Sequence, residues 1–403
     1  MNRDSGSAAD HALLVRGSNH EGMRQFNERI VLQAIRLHGA LPKAELARLT
    51  QLSKQTVSVI VERLLDDGLL LKQDRIRGGI GQPSVPLALN PDGAYSVGVQ
   101  VGRRSLEVLM ANFLGQIVQH DTFRYDYPDP DHVLPTMKKA LVALESDMAP
   151  RWPRVVGAGL AAPLGLDQWA DVLGPHSATA LARWQGVDVH AALQAMTPLP
   201  VVFARDTVAA CTAELLLGHG QQLSSFLYVY VASFVGGGLV IQGRLLTGDR
   251  DNAGAIGSMP VGLAPTGGAS QLLEVASGWV LGRTLQAAGL DPQIVLHDAV
   301  MDPRYADWVQ PWLDHAANAL AMVATASTAL LDLDAIVLDG SLSHRLLHEL
   351  TQRTQSTMTR YRQAGIRPPL VVQGSVGVHA RALGGALLPL HTQFFPNKDI
   401  FLK

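Results

Sequence analysis

Residues 41–71 read LPKAELARLTQLSKQTVSVIVERLLDDGLLL, and this stretch decides how the chain is parsed. Its spacing predicts two short helices around a tight turn. Pro42 suits a first helical position, and Leu46, Ala47 and Leu49 give the turns that follow an apolar side. Ser53 is placed to cap a second helix with its hydroxyl. Val57, Ile60, Val61, Leu64 and Leu65 then recur at the spacing of one buried face, and Gly68 closes the helix near Asp67. Lys54, Gln55, Ser58 and Glu62 are left on or near the opposite face, with Thr56 at the helix start. Short hydrogen-bonding side chains near a helix N-terminus suit base edges and phosphates in a major groove. The plain alternative is a solvated helical hairpin, whose outer face is also polar.

The next segment favours DNA. Residues 72–89, KQDRIRGGIGQPSVPLAL, place Gly78, Gly79 and Gly81 at a hairpin tip flanked by Arg75, Arg77 and Gln82. A β-hairpin beside a recognition helix is a wing, whose arginines reach phosphates or the minor groove. Residues 23–82 hold ten Lys or Arg and six Asp or Glu, a local net of +4. The whole chain is at −2, so the remainder carries −6 and positive charge collects where DNA would lie.

At 403 residues the chain has room for two or three domains. Hydrophobic residues at 47% and charged residues at 17% describe a globular protein, not a disordered one. Cys211 is the sole cysteine, which excludes an intrachain disulfide framework and a cysteine-rich zinc site. No apolar run of membrane-spanning length and no signal-peptide pattern is read, so a cytoplasmic protein without a membrane partner is expected.

Residues 1–22 are expected to be a flexible tail and 23–90 a winged helix-turn-helix, with a helix over 26–38 burying the pair that follows. The turn signal Asn90-Pro91-Asp92-Gly93 marks the boundary to a domain over 91–403. Strands are expected at Tyr95–Val101, 105–111, 116–123, 155–160 and 201–203, with helices over 132–148, 189–195 and 207–217. A second cycle places strands at 226–232, 237–241, 335–338 and Leu370–Gln373, and helices over 271–288, 305–331 and 380–388. Two successive units of strands and crossover helices predict an α/β fold with two lobes and a cleft.

Here a family resemblance becomes specific. SVGVQVGRRSLEVLMANFLGQIV at 96–118, GAGLAAPLG at 157–165, FARDTVAACTAELLLGHG at 203–220, VASFVGGGLVIQGRLLTGDRDNAGAIGSMPV at 231–261 and IVLDGSL at 336–342 resemble the ROK family. That family joins bacterial sugar kinases to repressors of sugar metabolism, and the resemblance spans residues 25–390. It implies a winged helix-turn-helix followed by a two-lobed actin-like, hexokinase-like domain.

The departures from the family pattern bear on activity. The kinases' Asp-Ile-Gly-Gly-Thr phosphate turn is Gln100-Val101-Gly102-Arg103-Arg104 here, and bulky side chains obstruct the close backbone approach that phosphate cradling needs, the alternative being an arginine that pairs with phosphate. The second phosphate loop is Ala232-Ser233-Phe234-Val235-Gly236-Gly237-Gly238, in which only the last three glycines survive. The family's Asn-Asp pair is Arg205-Asp206, which keeps the candidate general base in vestigial form. The Gly-Glu-Ile-Gly-His motif is Gly254-Ala255-Ile256-Gly257-Ser258, so both sugar anchors are replaced. Residues 262–273 hold no cysteine, so neither the zinc site of the family nor any other cofactor is expected, and the turn speaks against ATP. The glutamate after that loop remains as Glu274.

The implied ligand-binding set is Arg205, Asp206, Ser258 and Glu274. Each retained group has a plainer reading. Asp206 and Glu274 also suit early helical turns, and the three glycines also suit a tight hairpin. Arg205 either pairs with Asp206 or draws an acidic or phosphorylated ligand into the cleft. The leading expectation is a regulator, a repressor of carbohydrate-metabolism genes, that binds a double-stranded DNA operator as a homodimer or higher homo-oligomer and senses a sugar or sugar derivative. The alternatives are an ATP-dependent sugar kinase using Asp206 and a constitutive DNA binder whose cleft is only a scaffold.

Overall fold

The structure is a computed structural model that describes residues 20–74, 85–163, 165–169, 177–250, 252–263 and 269–396. At the N-terminus, α1 (His20–His38), α2 (Lys43–Thr50) and α3 (Lys54–Asp66) pack their apolar faces together. Val57, Ile60, Val61 and Leu64 of α3 are buried against Val31, Leu32, Ile35 and Leu46. Each such side chain contributes about 2 kcal/mol relative to exposure. Two strands follow, β1 (Leu70–Lys72) and β2 (Leu87–Leu89), antiparallel with Leu70 opposite Leu89. They form the base of the wing; Arg75, Arg77 and Gln82 lie outside the described residues.

Pro42 departs from expectation. It stands before α2, not inside it, with extended backbone at φ −74° and ψ 156°. That extension lets Leu41 exchange both backbone hydrogen bonds with Leu87, which ties the start of α2 to the wing.

The remaining chain forms two lobes of one design. In the first, β3 (Tyr95–Val101), β4 (Ser105–Asn112), β5 (Ile117–Arg124), β6 (Val155–Ala162) and β7 (Val201–Arg205) lie in the order β5-β4-β3-β6-β7. The β3, β4 and β5 strands pair antiparallel, whereas β6 and β7 continue in parallel. Helix α4 (Pro130–Asp147) and the short helices α5 (Ala178–Ala182) and α6 (Val189–Gln194) serve as crossovers, and α7 (Asp206–Leu217) leads out of the lobe.

The second lobe repeats the plan. Its strands are β8 (Phe226–Val231), β9 (Val235–Ile241) and β10 (Arg244–Leu246), then, after the small antiparallel pair β11 (Pro260–Leu263) and β12 (Ala269–Gln271), β13 (Ala335–Gly340) and β14 (Leu370–Gln373). The order β10-β9-β8-β13-β14 has the same split into antiparallel and parallel halves. Helices α8 (Leu272–Ala276), α9 (Gly278–Ala287), α10 (Ala306–Leu331) and α11 (His344–Met358) belong to this lobe, and α12 (Ala380–Phe394) returns to the first.

Several helices differ from the expectations: α1 starts at His20, inside the stretch read as a tail, α5 was not expected, and α12 runs on to Phe394. The single helix over 271–288 is broken at Ser277, whose extended backbone lets the Gly278 N–H donate to the Ala232 carbonyl at 2.8 Å. Helix α11 has no counterpart among the expectations, although Ser343 caps it by accepting from the Leu346 N–H, and Leu346, Leu347 and Leu350 make a buried stripe.

Helix α12 needs small residues to lie where it does. A β-carbon on Gly98 or Gly159 would collide with the carbonyl oxygens of Ala382 and Gly385. Backbone approach of this kind between helix and sheet is open only to glycine. The result is a helix running beneath the first-lobe sheet from the cleft to the winged helix.

Candidate functional site

The recognition helix begins where expected. Ser53 caps α3, its Oγ accepting from the Thr56 N–H at 3.1 Å. Lys54 and Gln55 are exposed, while Ser58 is half-buried. Thr56 is also half-buried, and its Oγ1 lies 2.8 Å from Ser53 Oγ, so it supports the cap. Glu62 sits 3.5 Å from Lys43 and screens the far end of this face. Val59 was not among the expected contacts, yet it is 56% exposed among these polar groups. An apolar side chain there suits a thymine methyl group. Its signal in the sequence is an aliphatic residue that falls outside the buried i, i+3, i+4 series.

The cleft tells a different story. At the β3–β4 turn the Gly102 N–H donates to the Ser105 carbonyl, and the Tyr125 hydroxyl donates to the Gly102 carbonyl at 2.7 Å. Gln100, before this turn, is fully buried, and neither of its amide atoms has a hydrogen-bond partner among the described residues. Arg103 leaves this turn and places its guanidinium 4.0 Å from the centre of the Phe234 ring, in the β8–β9 turn of the other lobe. Burial pushes the Arg103 pKa down to about 10; Asp206 opposes that shift and Arg381 adds to it.

Asp206 is buried at the first position of α7, where its Oδ1 accepts from the Thr207 N–H at 2.9 Å. Arg381, at the start of α12, lies 3.7 Å from its other oxygen and 5.2 Å over the Tyr230 ring. Burial works against the Arg381 charge, but Tyr230, Asp206 and Glu107 outweigh it and hold the pKa above the ordinary arginine value. Beside it His379 pairs with Glu107, a buried acid on β4. The hydrogen bond to Glu107 raises the His379 pKa against the opposing effect of burial.

Arg205 donates to Asn252 Oδ1 at 2.8 Å and to the Ala253 carbonyl at 3.5 Å, which joins the end of β7 to a loop of the second lobe. Ser258 is exposed at the end of a short turn of 3₁₀ helix. Glu274 is exposed too, and completes a capping box by accepting from the Gln271 N–H at 3.0 Å. The surviving glycines have a packing role: a β-carbon on Gly236 would press on Thr207, and one on Gly238 on Cys211, both in α7. The structure therefore brings Arg205 and Asp206 together at the cleft with Arg103, Arg381, His379 and Glu107. The last four were not among the expected site residues.

The opposite end of α12 reaches the winged helix. Arg36 of α1 donates to the Phe113 carbonyl at 3.1 Å and stacks 4.5 Å from the Phe395 ring centre, while Arg29 donates to the Phe395 carbonyl at 3.2 Å. Burial takes the Arg36 pKa down to about 10. Residues of α1, α2 and α3 share one apolar cluster with Phe113, Leu383, Leu387 and Leu390. A cavity of about 500 Å³ opens at this junction, bordered by Ile35, Leu71, Leu114 and Leu217. Among the described residues, no three His, Cys, Asp or Glu side chains are placed to hold a metal ion, and no helix is long and apolar enough to cross a membrane.

Comparison with known proteins adds two family matches. Residues 96–392 match the ROK family, and residues 25–76 match the MarR family. The chain is 23% identical over 244 residues to the xylose repressor of Caldicellulosiruptor bescii, with 59% of each protein aligned. The alignment thus spans under two thirds of that repressor's length. A crystal structure of a ROK family transcriptional regulator, described as a homologue of the E. coli MLC protein, superposes with a TM-score of 0.67 at 20% identity, covering 94% of this chain and 98% of the other. The ROK hexokinase of Thermus thermophilus superposes with a TM-score of 0.55 at 24% identity, covering 73% of this chain and 97% of the enzyme. Likeness at these identities speaks to the fold.

Proposed function

The chain belongs to the ROK family, and on that premise we propose that it is a DNA-binding transcriptional regulator, a repressor, whose kinase-like domain senses a sugar or sugar derivative without phosphorylating it. The observation that carries this reading is a contrast in how the side chains are engaged. The recognition face at Lys54 and Gln55 is open, whereas Arg103 fills the turn that would cradle nucleotide phosphates and stacks on Phe234. The xylose repressor and the regulator structure support the reading by their described roles.

A kinase reading rests on Asp206. A general base must reach the hydroxyl it deprotonates with a free lone pair. Here the carboxylate is buried, accepts from Thr207 and faces Arg381, so its oxygens are engaged inside the protein. The family's zinc does not fit either: Ser258 stands for the histidine ligand and Cys211, the sole cysteine, is buried in α7.

In the proposed mechanism the effector favours one conformation of the kinase-like domain, and α12 carries the difference to the winged helix. This helix holds Arg381 in the cleft at one end and packs Phe394 on Phe113, beside Arg36, at the other. At 1.5 Å per residue it spans roughly 22 Å. Its glycine-mediated contacts with the sheet make it a stiff connector. A homodimer places two winged helices on a pseudo-palindromic operator, and a change in their spacing alters affinity. The test pairs two assays on the full chain. Salt-sensitive binding to the DNA upstream of its own gene, with no ATP turnover on a sugar panel, is the expected outcome. Turnover with no preference over random DNA would overturn it.

A further inference from the structure

The central cleft is crossed by Arg103, Arg205 and Arg381, and ligand-sized space lies to one side of it. A cavity of about 430 Å³ opens on the flank of the first lobe, next to the turn that follows β6. Its volume falls within the range of about 300–1,000 Å³ typical of small-molecule sites. Phe203 forms one wall and is 42% exposed, an aromatic ring held open to solvent on the edge strand β7. Trp184 also lines the cavity and is held in place by its indole N–H donating to the Pro128 carbonyl at 2.7 Å. His190 lies 6.5 Å from the Phe203 ring.

We propose that the effector is a neutral sugar and that its ring seats in this flank cavity, with one C–H face on Phe203 and hydroxyls donating to Asp167 and Asp188. This rests on the sugar-sensing reading and goes further by naming the seat and the charge class. An aromatic wall beside a few placed polar acceptors is the chemistry a sugar ring needs, since it is apolar on one face and hydroxylated at its rim. Asp188 uses one oxygen to cap α6 through the Ala191 N–H, and its other oxygen makes no hydrogen bond among the described residues. Asp167 makes neither a hydrogen bond nor an ion pair among them. Among the described residues the lining carries two carboxylates, with His190 and no lysine or arginine, so a phosphorylated or acidic sugar meets like charge at Asp167 and Asp188. Position fits as well. Parallel β6 and β7 present their carboxyl ends here, where open α/β sheets bind ligands.

The experiment is a thermal-shift titration of the full chain with neutral mono- and disaccharides and with sugar 6-phosphates. It is run on the wild type, Phe203→Ala and Asp167→Asn, with operator binding as the check that each variant is folded. A neutral sugar should stabilise the wild type, each variant should bind it about tenfold more weakly or worse, and the phosphates should have no effect. Equal responses in wild type and variants would overturn the cavity assignment and leave sugar sensing intact. A wild type that answers only to a sugar phosphate would overturn the charge class. A wild type that answers to no sugar would overturn the sensing reading itself.

Discussion

Two helix N-termini of this chain make a useful pair. Helix α3 begins at Ser53 and leaves Lys54 and Gln55 facing solvent. Helix α7 begins at Asp206 and has its polar groups consumed: Thr207 and Arg381 take the carboxylate, and the preceding Arg205 reaches across to Asn252. Both ends carry the positive pole of a helix dipole and free N–H groups. One is offered to an outside partner and the other is satisfied internally. The residue types alone favour function at both; the partners separate them.

That contrast can be broken or sharpened by substitution. The largest effect is expected at Arg381. Arg381→Met removes the cation paired with the buried Asp206 carboxylate, and the stability read from a chemical denaturation curve should fall by about 3 kcal/mol. Adding Asp206→Asn to the same chain should recover part of it. A near-neutral Arg381→Met would mean that the cleft is not held by this pair. At the open terminus, Gln55→Ala should leave stability within about 0.5 kcal/mol. It should weaken operator binding by about 2 kcal/mol and relax sequence preference at one base pair, as read in a competition assay.

A smaller effect is expected at Glu274, whose observed role is to close a capping box with Gln271. Glu274→Ala should cost about 1 kcal/mol of stability with the sugar response retained. Loss of that response would instead put Glu274 on the ligand. The smallest effect is a pH dependence. His379 has its pKa raised in the folded chain by the Glu107 hydrogen bond. The stability it adds is fully present below its unfolded pKa of about 6.5 and is lost as the pH rises through the folded value. Denaturation curves on either side of that window should show this loss in the wild type, and Glu107→Gln should reduce it.

How much of this was legible in the sequence follows from how far apart the partners lie. The α3 face and its Ser53 cap are local, and the spacing of Val57, Ile60, Val61 and Leu64 was enough to find them. The bulk of the β3–β4 turn was legible as well, because Arg103 and Arg104 stand in it. What Arg103 does instead was hidden, since Phe234 belongs to the other lobe and only the cleft brings the two together. Arg381 and His379 sit on a final helix whose return to the first lobe is a matter of topology. Glu107 did leave a mark: a lone acid within the apolar run 106–111 of β4 calls for a partner, and His379 supplies it. The break at Ser277 left none, because it depends on a backbone contact with Ala232.

The central claim is that ligand in the kinase-like domain alters DNA binding by the winged helix through a shared core. The most direct measurement is fluorescence anisotropy of a labelled operator titrated with the full chain, with and without a sugar first shown to stabilise it. A shift in Kd of about 5- to 150-fold at saturating sugar is the predicted result. A sugar that stabilises the protein and leaves Kd unchanged would contradict the account.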